Sequence, residues 1–226
     1  TDIPGFDELL GGGFPRGGNT LVTGVPGTGK TIFALQFIYN GATTFNEKGL
    51  VVTFEENAAS LKKQAQQFGW NFDLLEKQGK VKILDIPVSD IKESTVREII
   101  KIVERDNYSR LVIDSLSALA INTPNTFGSV TDVTEIFIKR FIYHFINELR
   151  TSGATSLLIS QAAEGQLSSD GVSEFVSDGI IYIKHESLGG DFSRHLIIRK
   201  MRKVKNDEDI HPMEISKNGI VIHNLK

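Results

Sequence analysis

The sequence contains no cysteine, which excludes a disulfide framework and any thiolate-based metal site. Long apolar runs are missing as well. None approaches the roughly 20 residues of a membrane-spanning helix, and no signal-peptide pattern opens the chain, so a cytoplasmic protein with no membrane partner is expected. Neither sign of charge dominates: 25 Lys and Arg stand against 28 Asp and Glu, too even a balance for a general polyanion or membrane-surface binder. The five histidines, at 144, 185, 195, 211 and 223, show no ligand spacing. There is no low-complexity linker and no internal repeat. With 226 residues, 40% of them hydrophobic, the chain can build one sizeable core, and one domain over 1–226 is expected. It opens on Thr1 rather than Met, so a few further residues upstream are expected.

What is present is a regular alternation. Apolar, β-branched runs at 19–24, 49–55, 80–86, 110–115, 155–160, 179–184 and 194–201 read as strands. Helical patterns at 30–43, 58–69, 94–106 and 131–151 separate them. Such an order predicts an α/β fold with a mostly parallel central sheet covered by helices on both faces. The tail, HPMEISKNGIVIHN, predicts a C-terminal β-hairpin turning at Asn218-Gly219. In the helix at 131–151, Val133, Phe137, Phe141, Phe145 and Leu149 form one stripe and Ile138, Ile142 and Ile146 a second. A helix apolar around so much of its girth is either deeply buried or meets another subunit.

The strongest chemical signal is GVPGTGKT, comprising Gly24, Val25, Pro26, Gly27, Thr28, Gly29, Lys30 and Thr31. It matches G-x-x-x-x-G-K-[ST] between a strand and a helix, the arrangement of a nucleotide phosphate loop. Its glycines let successive N–H groups surround an anion, and the following helix adds its positive end. Lys30 is expected to reach the β- and γ-phosphates, and Thr31 to offer its hydroxyl to Mg2+.

Further groups cluster at predicted strand ends. Asp114 closes the apolar run RLVID, where a carboxylate can hold magnesium or its water. Glu55 and Glu56 follow another strand. Adjacent carboxylates point to opposite sides of a strand, so one can face the nucleotide and orient water. Ser160 and Gln161 close LLISQ and are candidates for contact with a γ-phosphate. The basic stretch IRKMRKVKN divides by strand alternation, with Lys200 and Arg202 on one face and Arg199, Met201 and Lys203 on the other.

In this order, IPGFDELLGGGFPRGG, the phosphate loop, TFEEN, LVIDS, LLISQ, SDGIIYI and IRKMR resemble the KaiC-like and RadA/RecA-like ATPases over almost the whole chain. The resemblance is nearest to the single-domain archaeal KaiC-like proteins, which also resemble RadA paralogs. It implies a RecA-like P-loop NTPase, ATP and Mg2+ as cofactors, and a homo-oligomeric ring, commonly hexameric, with ATP at subunit interfaces. It also implies that Glu55 and Glu56 form the catalytic pair, while Lys200 and Arg202 reach the γ-phosphate held by a neighbouring subunit. After Lys-Met-Arg many relatives continue Gly-Thr-x-His, where this chain has Lys203, Val204 and Lys205. By the same resemblance, Ser129, Thr126 and Thr131 lie near where a two-domain member of that family is autophosphorylated, in a loop where surface hydroxyls are ordinary.

A regulatory or signalling ATPase acting with an unknown protein partner is the leading expectation. One alternative is a RadA-like recombination accessory that binds single-stranded DNA. The segments 111–138 and 162–183 carry no Lys or Arg, which disfavours it, because backbone binding relies on cations. The second alternative is a nucleotide-binding assembly scaffold with little hydrolysis, as in the KaiC-like component of the archaellum motor.

Overall fold

A computed structural model describes residues 1–92, 94–121, 131–163, 165–185 and 193–224. Among these, the strands are β1 Asn19–Gly24, β2 Gly49–Thr53, β3 Val81–Asp85, β4 Arg110–Asp114, β5 Thr155–Gln161, β6 Gly179–His185, β7 Arg194–Met201, β8 His211–Ser216 and β9 Gly219–Ile222. The helices are α1 Lys30–Thr44, α2 Ala58–Gln66, α3 Phe72–Lys77, α4 Thr95–Asp106, α5 Leu116–Ile121, α6 Thr131–Thr151 and α7 Ser173–Val176. The sheet runs β3-β2-β4-β5-β1-β6-β7-β8-β9. Pairs from β3 to β6 are parallel, and those from β6 to β9 are antiparallel.

Alternation along the central strands fills both faces. Val22, Val51, Val112, Leu157, Ile159 and Ile181 pack with Phe33 and Phe37 of α1. Leu21, Leu50, Leu111, Ile113, Leu158 and Ile180 pack with Ile99 of α4 and with Ile142, Phe145 and Leu149 of α6. A side-chain period of two sends neighbours to opposite faces, so a strand covered on both sides must be apolar throughout. The parallel strands all end at one edge of the sheet, which gathers the polar residues that follow them.

The C-terminal hairpin forms, with its turn one residue earlier than predicted. Ser216 pairs with Gly219, leaving Lys217 and Asn218 as the loop, while Gly219 opens β9 at φ +119°. Gln36 of α1, buried, donates to the carbonyl of Ile220 at 3.2 Å and accepts from its N–H at 2.6 Å. The Ile222 N–H donates to the Pro4 carbonyl at 2.8 Å. The sheet edge is thereby capped by a side chain and the N-terminal segment, rather than left open for pairing.

Three short helices escape the periodicity reading: α3, α5 and α7 are too brief to show an amphipathic repeat. Helix α6 has the predicted bounds, but only its C-terminal half is sunk. Ile142, Phe145, Ile146 and Leu149 are fully buried, whereas Ile136, Phe137 and Tyr143 are exposed. The side chain of Val133, and residues Thr126 and Ser129, lie outside the described residues, as does the side chain of Thr131.

Strand β2 also stops two residues short of the prediction, at Thr53. The Thr53 hydroxyl donates to the Glu56 carbonyl at 2.8 Å and accepts from its N–H at 3.2 Å. This local turn competes with strand continuation, so Glu55 and Glu56 sit on a bend rather than on alternating strand positions.

Candidate nucleotide site

The loop between β1 and α1 needs its glycines for definite reasons. Gly24 has φ +146°, and a Cβ there would lie 2.1 Å from the Ile183 carbonyl oxygen. Gly29 has φ +103° and rests against Ile215 of the hairpin, 3.1 Å from where its Cβ would be. Inside this loop the Lys30 ammonium is buried and donates to the carbonyls of Gly24 and Val25, each at 2.8 Å. Burial lowers its pKa below the usual lysine value, against the opposing charges of Asp114 and Glu55. Thr28 donates to the Val25 carbonyl at 3.0 Å and tightens the loop. Ile32, the next residue, packs on the core.

Thr31 and Asp114 meet. The threonine hydroxyl donates to Asp114 Oδ2 at 2.8 Å, joining the first turn of α1 to the end of β4. Burial pushes the Asp114 pKa up to about 6, and the charges of Glu55 and Glu56 add to the rise, while the Thr31 hydrogen bond and Lys30 oppose it. A carboxylate and a hydroxyl side by side form the oxygen donor set that suits a hard divalent cation. The residues therefore fit Mg2+. No group of three or more His, Cys, Asp or Glu among the described residues forms a separate metal site.

The two glutamates go to different places. Glu55 accepts from the Ser115 hydroxyl, and from the Gln161 amide at 3.1 and 2.9 Å through its two oxygens. Glu56 turns to α2 instead, accepting from Ser60 Oγ at 2.7 Å and Gln64 Nε2 at 2.6 Å. The expected divergence is present, though a bend produces it rather than strand alternation. Ser160 is buried and lies 3.3 Å from Ser117 Oγ, beneath the site. Ser115 and Ser117, which support Glu55 and the Gln161 backbone, were missed in the sequence. Their only signal was polarity directly after Asp114.

Lys200 and Arg202 are not brought to this loop. Met201 pairs with Gly179, which pairs in turn with Thr20, so both cations sit near the amino ends of the parallel strands. Gly24 lies four residues further along β1, roughly 13 Å, and two strands away. Lys200 Nζ donates to the carbonyls of Glu174, Phe175 and Ser177 at 3.0, 3.4 and 2.7 Å. Arg202 lies 3.6 Å from Asp178 and donates to the Phe175 carbonyl at 3.4 Å. Asp178 also pairs with Arg150 of α6 at 3.2 Å. Neither Arg150 nor this use of Asp178 was visible in the sequence.

Strand alternation misplaced Arg199. Ile180 pairs with Lys200 but Ile181 with Ile198, so Arg199 is an extra residue in a β-bulge. Arg199 and Lys200 consequently line one cavity of about 700 Å³, with Lys139 of α6 and the loop 165–171. That loop has no cation of its own, and other elements supply them.

The model of the KaiC-type ATPase family matches residues 1–226. The chain belongs to the KaiC family of ATPases. A UPF0273 protein of Thermotoga maritima is 37% identical over 241 residues, covering 99% of this chain and 94% of that protein. The circadian clock oscillator protein KaiC of Synechococcus elongatus is 34% identical over 234 residues, covering all of this chain but 44% of that protein. This KaiC-family chain thus spans less than half the length of the clock protein. The crystal structure of a KaiC-like protein from the hyperthermophilic archaeon Pyrococcus horikoshii OT3 superposes with a TM-score of 0.85 at 39% identity, covering 98% of this chain and 96% of that one. The RecA-like fold expected from the sequence is the observed one, and membership supports a nucleotide-binding ATPase. No helix among the described residues is long and apolar enough to cross a membrane.

Proposed function

We propose that this KaiC-family protein hydrolyses ATP with Mg2+ at a site completed by a second copy of the chain. The observation that carries the reading is the hydrogen bond from Thr31 to Asp114, which sets a phosphate loop and a buried carboxylate within one cation's reach. The N–H groups of residues 27–30 bind the phosphates. Lys30 exchanges its bonds to the Gly24 and Val25 carbonyls for phosphate oxygens. Thr31 and Asp114 would hold Mg2+, which would supply charge neutralisation to the nucleotide's phosphates. Glu55 orients the attacking water, its carboxylate steadied by Ser115 and Gln161. Glu56, engaged with Ser60 and Gln64, fixes the bend that aims its neighbour.

The strand register supports a role in trans for Lys200 and Arg202. They lie near the edge opposite their own phosphate loop and are suited to the γ-phosphate of an adjacent subunit, where they would neutralise charge in the transition state. A heterologous contact of this kind closes into a ring when its rotation permits, and a hexamer is the form we expect.

The test is magnesium-dependent ATP turnover by the full chain and by Glu55→Gln and Glu56→Gln variants. Glu55→Gln should lower turnover by about 10²–10⁴-fold with nucleotide affinity retained, and Glu56→Gln should have a smaller effect. Undiminished turnover in Glu55→Gln would remove Glu55 from the mechanism.

A further inference from the structure

Helix α7 carries the most exposed large apolar side chain among the described residues: Phe175, 71% exposed. Its surroundings are built rather than loose. Lys200 and Arg202 both donate to the Phe175 carbonyl, Lys200 also binds the carbonyls of Glu174 and Ser177, and Arg150 donates to that of Val176. Three cations therefore hold the end of α7 and fix the backbone that carries Phe175. On α6, Tyr143 lies seven residues before Arg150, and Ile136 seven before Tyr143. Two helical turns separate each pair, so all three lie along one side of the helix, a line that ends at α7. Ile136 and Tyr143 are both more than half exposed. An aromatic on α7 thus stands beside an apolar line on α6, with Arg199, Lys200 and Arg202 alongside.

We infer that Phe175 is the apolar anchor by which one copy of this chain docks head-to-tail on the next. The inference rests on the reading of Lys200 and Arg202 as acting in trans. If Lys200 is to touch a neighbour's phosphate, the carboxyl edge of that neighbour's sheet must come within a side chain's length of α7. Whatever presents the phosphate there must also cover Phe175. Charge is complementary on the two sides: at the α7 end Arg150, Arg199, Lys200 and Arg202 outnumber Glu174 and Asp178, and the opposing edge carries Glu55 and Glu56. An aromatic side chain flanked by arginines, with carboxylates opposite, has the composition of an interface hot spot.

The experiment measures the mass of the full chain in Mg-ATP against protein concentration, for wild type, Phe175→Ser and Phe175→Leu. Thermal melts at low concentration check that each variant folds, and the high exposure of the side chain means that they should. Phe175→Ser is expected to weaken self-association about tenfold or more, with Phe175→Leu recovering most of it. If Phe175→Ser assembles at the same concentrations as wild type, the anchor is refuted and the trans reading stands. A wild-type chain that stays monomeric in Mg-ATP overturns both. Should Phe175→Ser fail to fold, Phe175→Ala decides in its place: weaker assembly supports the anchor and unchanged assembly overturns it.

Discussion

Asp114 offers a quantitative test of the site, because one substitution should stabilise the protein and disable it at once. The carboxyl is buried, and its pKa rises from 3.8 to about 6, first through burial and then through the charges of Glu55 and Glu56. Each pKa unit is worth about 1.4 kcal/mol, so keeping this carboxylate ionised in the folded state costs up to ~3 kcal/mol at neutral pH. The sign follows from linkage. Between pH 3.8 and about 6 the folded state binds the proton that the unfolded state has released, so stability conferred at low pH is lost as pH rises through this window and stays lost above it. Asp114→Asn keeps the size of the side chain and an oxygen to accept from Thr31, but removes the charge. In nucleotide-free protein at pH 7.5 we expect a gain of about 1–3 kcal/mol, or roughly 3–10 °C in melting midpoint for a chain of this length. The gain over wild type should shrink toward zero as pH falls below about 4. Magnesium-dependent ATP binding should be lost in the same variant, the trade between stability and function expected of a strained site. Urea or thermal unfolding of both proteins across pH 4–8 measures the difference directly. A variant no more stable than wild type at pH 7.5, or a difference independent of pH, would refute the assignment of a buried charge held for a metal.

Two further outcomes check other parts of the site. Subunits carrying Arg202→Ala, mixed with subunits carrying Glu55→Gln, should regain part of the lost ATPase activity, because some mixed interfaces contain every intact part; absence of rescue at all ratios, with mixing shown independently, would place Arg202 outside the reaction. Gly24→Ala should destabilise by a few kcal/mol, since its Cβ would strike the Ile183 carbonyl. Gly27→Ala, at φ +80° with nothing within 4 Å, should cost only about 1–2 kcal/mol of left-handed strain, and equal melting shifts for the two would contradict the described loop.

The glycine loop between β1 and α1, the place of Asp114 at the end of β4 and the parallel core were legible because each is written locally. A glycine-bounded loop lies between an apolar strand and a helix, and buried parallel strands need unbroken apolar runs. The partition of Glu55 from Glu56 was half legible. Two adjacent carboxylates had to diverge, but the donors that take each one arrive from Ser115, Gln161, Ser60 and Gln64, in three separate parts of the chain.

Arg199 shows where sequence reasoning stops. Alternation along β7 placed it opposite Lys200, yet a bulge turns both toward one cavity. The bulge returns Met201 to the same core as Ile198, over Gly179, where an added Cβ would lie 2.5 Å from the methionine methyl. That fit involves residues 22 positions apart and has no signature in the run IRKMR itself. The amino-acid order by itself determined the fold class, the strand–glycine loop–helix unit at 19–44 and the carboxylate that ends β4, since these depend on composition and spacing within a few residues. The tertiary structure alone decided which side chains face each carboxylate, where Lys200 and Arg202 lie relative to their own loop, and that Phe175 is exposed beside them. Those depend on strand order and register, which distant parts of the chain set together.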